Sequence, residues 1–343
     1  MNGFKRLGGI AACREEVKLR TEHVKKIIIH HPQYDEILQQ LEDILYMSDG
    51  SVSPEQLFIY GPTGMGKSTV TKEFTKRYPS FEVETTTRKF KKIPVLYLRV
   101  PPKATPKSLA AKMLEKMGDV LYSSGTEILL TRRIHHYIRE LEIRMIVLDE
   151  FQHLIDADTD HVLTTAANWV KTFSEESGIP IVLCGMPNSV KIFAKEEQLD
   201  RRYSYKIWME PFKYSTAEEK ILFRAFLNKI EDDLPFADPS NINLANVQMA
   251  DKFFYISLGV PFYVMKVLEF ATEDASKKGE DKLTELHLQQ ALRKLKQITR
   301  PFRVNPFNRD DFNLIDELAK ESAQEEKLKL NTTTMKRRSR NKV

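Results

Sequence analysis

Cysteine is scarce in this chain. There are two in 343 residues, Cys13 and Cys184, far apart and without metal-ligand spacing around them. No disulfide framework and no zinc knuckle can organise such a sequence, and a reducing, cytoplasmic setting fits. Long apolar runs are missing too. None approaches the roughly eighteen residues of a membrane-spanning helix. The opening MNGFKRLGGIAACREE lacks an apolar h-region, so no secretion signal is expected. The adjacent pairs His30-His31 and His135-His136 stand without cysteines or further histidines. Neighbouring side chains diverge, so neither pair is read as a metal site. No internal repeat is present. Net positive charge is confined to one end. Lys327, Lys329, Lys336, Arg337, Arg338, Arg340 and Lys342 occur without an acid among them, so the net +5 of the chain is a property of this tail. A segment such as TTTMKRRSRNKV cannot bury apolar area and is expected to be disordered. It would touch nucleic acid or an acidic surface, or serve solubility alone.

What is present is more specific. Residues 57–68 read LFIYGPTGMGKS, a short apolar strand running into a glycine-rich loop. Gly61, Gly66, Lys67 and Ser68 meet the pattern G-x-x-x-x-G-K-[ST]. Glycines let the chain curl so that the N–H groups of Gly61, Pro62 onward through Thr63, Gly64, Met65, Gly66, Lys67, Ser68 and Thr69 surround an anion, proline excepted. Lys67 would reach the β- and γ-phosphates, Ser68 would ligate Mg²⁺, and the helix that follows would present its positive end. Residues 145–150, MIVLDE, supply the other half. Met145–Leu148 is an apolar run suited to a buried parallel strand. Asp149 would hold the Mg²⁺ shell at the strand's C-terminal edge, and Glu150 would orient water. Either motif alone could be a glycine-rich turn or a buried strand ending in solvated acids. About eighty residues apart in one chain, they define a nucleoside-triphosphate site, with ATP and Mg²⁺ as cofactors.

At 41% hydrophobic, 343 residues support two or three structural units. Residues 1–50 read as an N-terminal helical extension, in which Tyr34–Met47 shows helical spacing. Residues 51–212 alternate strands and helices. Strands are expected at 57–60, 93–100, 145–149, 179–185 and 205–209. A polar stretch, 79–92, ends in RKFKK. A helix begins with Thr105 as N-cap and Pro106 at its first position. Others cover 126–141 and 160–176, and a short one follows Pro187. Five strands separated by helices imply an α/β fold with a parallel sheet between helical layers. From Ser215, with Glu218 as a capping box, the pattern turns all-helical: 216–231, 243–257, 261–277 and 285–297. This makes 213–298 a helical lid. Residues 299–343 form a linker, a weak helix at 310–322 and the basic tail.

An α/β core carrying both phosphate motifs, followed by a four-helix lid, resembles the AAA+ P-loop ATPases over about 55–298. The segments GPTGMGKS, IPVLYLRVPPKATPKSL, IVLDEFQHL, IPIVLCGMPNS and EEQLDRRY are similar to those of the TniB/TnsC family of transposition ATPases, to which MuB-type target-selection proteins are related. The resemblance implies an ATPase that assembles on double-stranded DNA without reading its sequence. It implies self-association as a ring or helical filament, a transposase partner and a target-selection protein of TniQ type. The setting would be a bacterial cytoplasm, nucleoid-associated on DNA, with no membrane partner. It casts Arg202, before Tyr203, as the arginine that completes a neighbouring subunit's site, with Arg201 as its alternate. Asn188 takes the first sensor position, since Met186 stands where threonine is common. Lys266 takes the second, one turn beyond Phe262 and Tyr263. These departures imply slow, regulatory hydrolysis. Lys103, Thr105 and Lys107 would meet the DNA backbone, with Arg132 and Arg133 behind them. Aromatics do not alternate with these bases, so a single-strand stacking platform is not indicated. A replication initiator or clamp loader shares every nucleotide motif but is expected to carry a DNA-reading domain after the lid, where about 45 residues remain. A small-molecule kinase and a protein-only signalling switch are the other readings.

Overall fold

The computed structural model describes residues 4–84, 89–156, 159–238, 242–309 and 311–340. The helices are α1 (Arg14–Lys26), α2 (Pro32–Met47), α3 (Lys67–Arg77), α4 (Pro106–Met117), α5 (Glu127–Glu140), α6 (Asp160–Glu176), α7 (Glu197–Arg202), α8 (Ala217–Asp232), α9 (Val247–Ser257), α10 (Pro261–Lys278), α11 (Glu285–Lys294) and α12 (Leu314–Arg340). The strands are β1 (Leu57–Tyr60), β2 (Phe81–Glu84), β3 (Lys89–Lys92), β4 (Val95–Arg99), β5 (Met145–Asp149), β6 (Ile181–Gly185) and β7 (Tyr205–Trp208). They divide into two compact units, Pro32–Glu210 and Met1–His31 with Pro211–Val343. Among the described residues no single helix is long and apolar enough to cross a bilayer.

The first unit is built on a five-stranded parallel sheet in the order β4-β5-β6-β1-β7. Every residue of β5 and β6 is buried, as expected where helices cover both faces of a parallel sheet. The registers Tyr60↔Gly185, Tyr60↔Trp208 and Leu148↔Leu183 bring the C-terminal ends of β1, β5, β6 and β7 to one edge. The chain leaves β1 for the far strand β4, returns through β5 and β6, and crosses β1 to reach β7. The edge beside β1 is therefore the crevice where open α/β sheets take ligands. α2 belongs to this unit: Ile37, Leu41 and Leu45 are buried, and the Tyr34 hydroxyl donates to Glu73 Oε2 at 2.6 Å.

The second unit packs α8–α11 around Phe223, Phe253, Ile256, Val264, Leu268 and Leu288. α1 joins it through Val24 and the fully buried Arg20. That guanidinium reaches Glu16 Oε1 at 2.7 Å, the Pro235 carbonyl at 3.0 Å and the Lys5 carbonyl at 2.6 Å. A buried arginine needs such partners, since an unpaired one would cost several kcal/mol.

Four features differ from the sequence reading. Residues 1–50 are not one extension, because the division falls between His31 and Pro32. The polar stretch 79–92 contains the antiparallel β2–β3 hairpin, with Glu82 opposite Lys91 and Val83 opposite Phe90. Cross-strand pairs of this kind stabilise a ribbon that lacks the apolar alternation by which strands are recognised. The capping box uses Thr216 and Glu219, one residue beyond Ser215 and Glu218. Thr216 accepts from Glu219 N–H at 3.3 Å, and Glu219 Oε2 accepts from Ser215 and Thr216 N–H. The basic tail is helical in backbone through Arg340 rather than disordered. No glycine or proline interrupts Leu314–Val343. The helix is also anchored at its start, where buried Glu321 takes both ends of the Arg300 fork at 2.7 and 2.8 Å.

Candidate functional site

The loop between β1 and α3 is shaped by its glycines. Gly64 and Gly66 have φ of +85° and +98°, in the left-handed region that glycine enters without penalty. Gly61 is required for a different reason. A Cβ there would lie 2.2 Å from the Met209 carbonyl oxygen, which is fixed because Met209 N–H donates to Tyr60 O at 2.7 Å. Gly61→Ala is therefore expected to destabilise the protein by about 1–3 kcal/mol, an overpacking cost. A lowered urea midpoint would report it, and an unchanged midpoint would refute the close approach. Met65 is buried, so only its backbone can face a ligand. Gly66 caps α3 without a side chain, and the first-turn amides of Lys67 and Ser68 have no carbonyl one turn back, whereas Thr69 N–H donates to Gly66 O at 2.9 Å. The Lys67 ammonium donates to Gly61 O at 2.7 Å and Pro62 O at 2.8 Å. Burial holds it below the usual lysine range, against the opposing pull of Cys184, Glu150 and Asp149. An incoming phosphate would favour its charged form.

Asp149 is 2% exposed. Its Oδ1 accepts from Glu150 N–H at 2.9 Å and its Oδ2 from the Tyr97 hydroxyl at 2.5 Å. Burial and this carboxylate hold the Tyr97 phenol well above its ordinary range, so it stays protonated and donating. Glu150 adopts a left-handed backbone, φ +57° and ψ +40°. Its carboxylate meets Arg99 Nη2 at 3.3 Å and the Gln152 amide. Asp149 and Ser68 are hard oxygen donors suited to Mg²⁺, with phosphate and water completing the shell. Tyr97, Arg99 and Gln152 were not singled out from sequence. Tyr97 and Arg99 come beside the acids through the register Tyr97↔Val147 and Arg99↔Asp149, which no local pattern encodes.

The remaining candidates separate. Met186, not Asn188, faces the loop, with its Sδ 3.8 Å from Thr63 Oγ1; Asn188 is exposed. Arg202 turns back toward its own fold, reaching Ser174 O at 3.4 Å and Glu175 at 3.7 Å, with 25% of its side chain exposed. Arg201 is 74% exposed and pairs with Glu197 one helical turn away, a weak surface pair. Lys266 lies in the helical unit, where both Glu269 oxygens hold it at 3.0 and 2.8 Å over the Phe270 ring. This pair would have to open before Lys266 could meet a phosphate. Lys103 is exposed at a left-handed turn, φ +55°, and Lys107 is exposed on the first turn of α4. Ala104 N–H donates to His153 O at 3.1 Å and ties their loop to the segment after Glu150. Thr105 spends its hydroxyl oxygen on capping Ser108 N–H at 3.2 Å. Arg132 is exposed. Arg133 is not free: it pairs with buried Asp119 and donates to Ser124 O at 2.9 Å, stapling the loop before α5.

The profile of the family described as Bacterial TniB protein matches residues 20–213, which include the glycine-rich loop and both acids. This chain belongs to the TniB family. Curated relatives of this TniB-family chain include an ORC1-type DNA replication protein 1 of Sulfurisphaera tokodaii, 28% identical over 271 residues, 76% of this chain and 62% of that protein. The Sulfolobus acidocaldarius protein of the same description is 30% identical over 209 residues, 59% of this chain and 46% of the relative. The chain thus spans less than two thirds of the length of these relatives. Among solved structures, the Aeropyrum pernix ORC1 protein in complex with DNA aligns with a TM-score of 0.59 at 15% identity, covering 80% of this chain and 69% of that one. Drosophila ORC bound to DNA aligns with a TM-score of 0.52 at 12% identity, covering 87% and 72%. The fold is the AAA+ fold: a five-stranded parallel sheet flanked by helices, followed by a helical region.

Proposed function

We propose that this chain is an ATP-dependent, DNA-binding regulator of transposition. It binds ATP and Mg²⁺ at Lys67, Ser68 and Asp149 and assembles along duplex DNA. It links a target-selection protein to the transposase, and it hydrolyses ATP slowly enough to set the lifetime of the assembly. The observation that carries this reading is the TniB family match, which covers the whole nucleotide unit described above. Glu150 orients the attacking water beside the metal site. Arg202 or its neighbour Arg201 completes an adjoining copy's site, and the greater exposure of Arg201 supports that alternate. Met186 in place of a polar sensor and the pairing of Lys266 with Glu269 both favour slow turnover.

Exposed Lys103, Lys107 and Arg132 are the DNA-facing cations, and they hold phosphates without reading bases. Lys103→Glu is expected to weaken duplex binding about equally on unrelated sequences and to lower the salt slope by about 1. Fluorescence anisotropy across a salt series would show it, and an unchanged slope would remove Lys103 from the interface. The kinship with ORC1-type replication proteins favours a second reading, a replication initiator. Electron microscopy with ATP and plain duplex separates the two. Filaments or rings on any sequence, recruiting a transposase, support the first. Assembly confined to one sequence element supports the second.

A further inference from the structure

We propose that Gln152 is a positioning residue for ATP hydrolysis: one end of its amide holds the Glu150 carboxylate, and the other is held by the backbone of Met186. The inference rests on the reading of Glu150 as the group that orients water.

Gln152 is 5% exposed and lies in the short 3-10 turn Phe151–Leu154 that directly follows Glu150. Its Nε2 donates to Glu150 Oε2, and its Oε1 accepts from Met186 N–H at 3.1 Å. An N–H donor at one end and a carboxylate at the other admit a single orientation of the amide. Neither contact survives a flip.

Glu150 needs such a support. A non-glycine residue in the left-handed region costs about 1–3 kcal/mol and persists only where its surroundings impose it. The other contact of its carboxylate is Arg99, whose side chain is 68% exposed. An exposed guanidinium at 3.3 Å is a weak and mobile tether. A buried amide bonded at both ends is a rigid one. The same amide joins adjacent strands. Glu150 follows β5, Met186 follows β6, and the Met186 sulfur rests 3.8 Å from Thr63 in the phosphate loop. Thr63, Met186, Gln152 and Glu150 thus form a continuous line of contacts. A polar side chain at position 186 is not needed to connect that strand to the acid, because its backbone N–H does so through Gln152.

The test uses the full chain with plain duplex DNA and compares steady-state ATP turnover and equilibrium ATP binding. Gln152→Met, which keeps volume and removes both hydrogen bonds, is expected to lower kcat by about 10–100-fold, the cost of a misplaced group. KM and ATP affinity should stay within about twofold, because the lost interaction acts in the transition state. Gln152→Glu keeps the acceptor for Met186 but removes the donor and sets a like charge against Glu150. It should fall as far, and being nearly isosteric it keeps the test standing if Gln152→Met does not fold. Adding Gln152→Met to Glu150→Gln should lower kcat no further than Glu150→Gln alone. Near-parental kcat in both Gln152 variants would overturn the inference. So would a double variant whose loss is the full product of the two single losses, since Gln152 would then act independently of Glu150. Parental turnover in Glu150→Gln alone would instead overturn the role of Glu150, whatever the Gln152 variants show.

Discussion

Glu150→Gln is expected to keep ATP bound while slowing hydrolysis by about 10²–10⁴-fold, the range over which a positioned base contributes. The substitution preserves shape but leaves one acceptor oxygen where there were two, so either Arg99, which donates to Oε1, or Gln152, which donates to Oε2, loses its partner, and the amide cannot take a proton from water or hold it by charge. Nucleotide affinity depends on other groups: the loop amides, Lys67 and the metal donors Ser68 and Asp149. Asp149 keeps its own hydrogen bonds from Tyr97 and from Glu150 N–H, and neither involves the Glu150 side chain. Assemblies on duplex DNA should therefore form with ATP and persist. Single-turnover hydrolysis and the decay of DNA-bound complexes measure the two halves of this expectation. Unaltered decay would show that hydrolysis at Glu150 does not time disassembly.

Lys67→Ala is expected to weaken ATP binding by about 100-fold or more. A charged hydrogen bond is worth about 1.5–3 kcal/mol, and each 1.4 kcal/mol is about a factor of ten in affinity. Two effects add here. The ammonium that would meet the phosphates is lost. So are its hydrogen bonds to Gly61 O and Pro62 O, which brace the loop from inside. Lys67 is half-buried and its protonation is disfavoured by that burial, so a phosphate gains from it both charge and relief of an unfavourable environment. Equilibrium binding of a fluorescent ATP analogue reads the loss. An affinity within a few-fold of the parent would mean that triphosphate does not sit in this loop. The variant should also fail to assemble on DNA, which separates it from Glu150→Gln, where assembly outlasts that of the parent.

Much of this molecule was legible in the chain. The strands expected at 57–60, 145–149 and 179–185 are β1, β5 and, two residues shorter, β6, because continuous burial on both faces leaves an unmistakable composition. The loop from Gly61 to Ser68 was legible because its chemistry depends on consecutive residues. The amphipathic helices of the second unit were legible from their periodicity, and Thr105 with Pro106 marked the start of α4. The β2–β3 hairpin was not, since a solvated ribbon held by cross-strand pairs carries no periodic apolar signal. Nor was the helical continuation through Arg340, where composition argued for disorder over a run free of glycine and proline.

The site shows the same split. Which residues are candidates to meet phosphate and metal is written locally, in a loop of eight residues and a pair of adjacent acids, and the sequence alone proposes them. Which residues steady those groups is decided by strand order and register. Tyr97 reaches Asp149 because β4 lies beside β5, and Gln152 reaches Met186 because β6 follows β5 in the sheet. The availability of a cation was likewise a tertiary matter. Arg133 read as a free positive charge until packing brought Asp119 against it, while Arg201 and Lys103 remained exposed; the Lys266–Glu269 pair, by contrast, is local, one turn apart on α10. A side chain's type is set by its codon, but its partners come from segments distant in the chain, and only the folded structure chooses them.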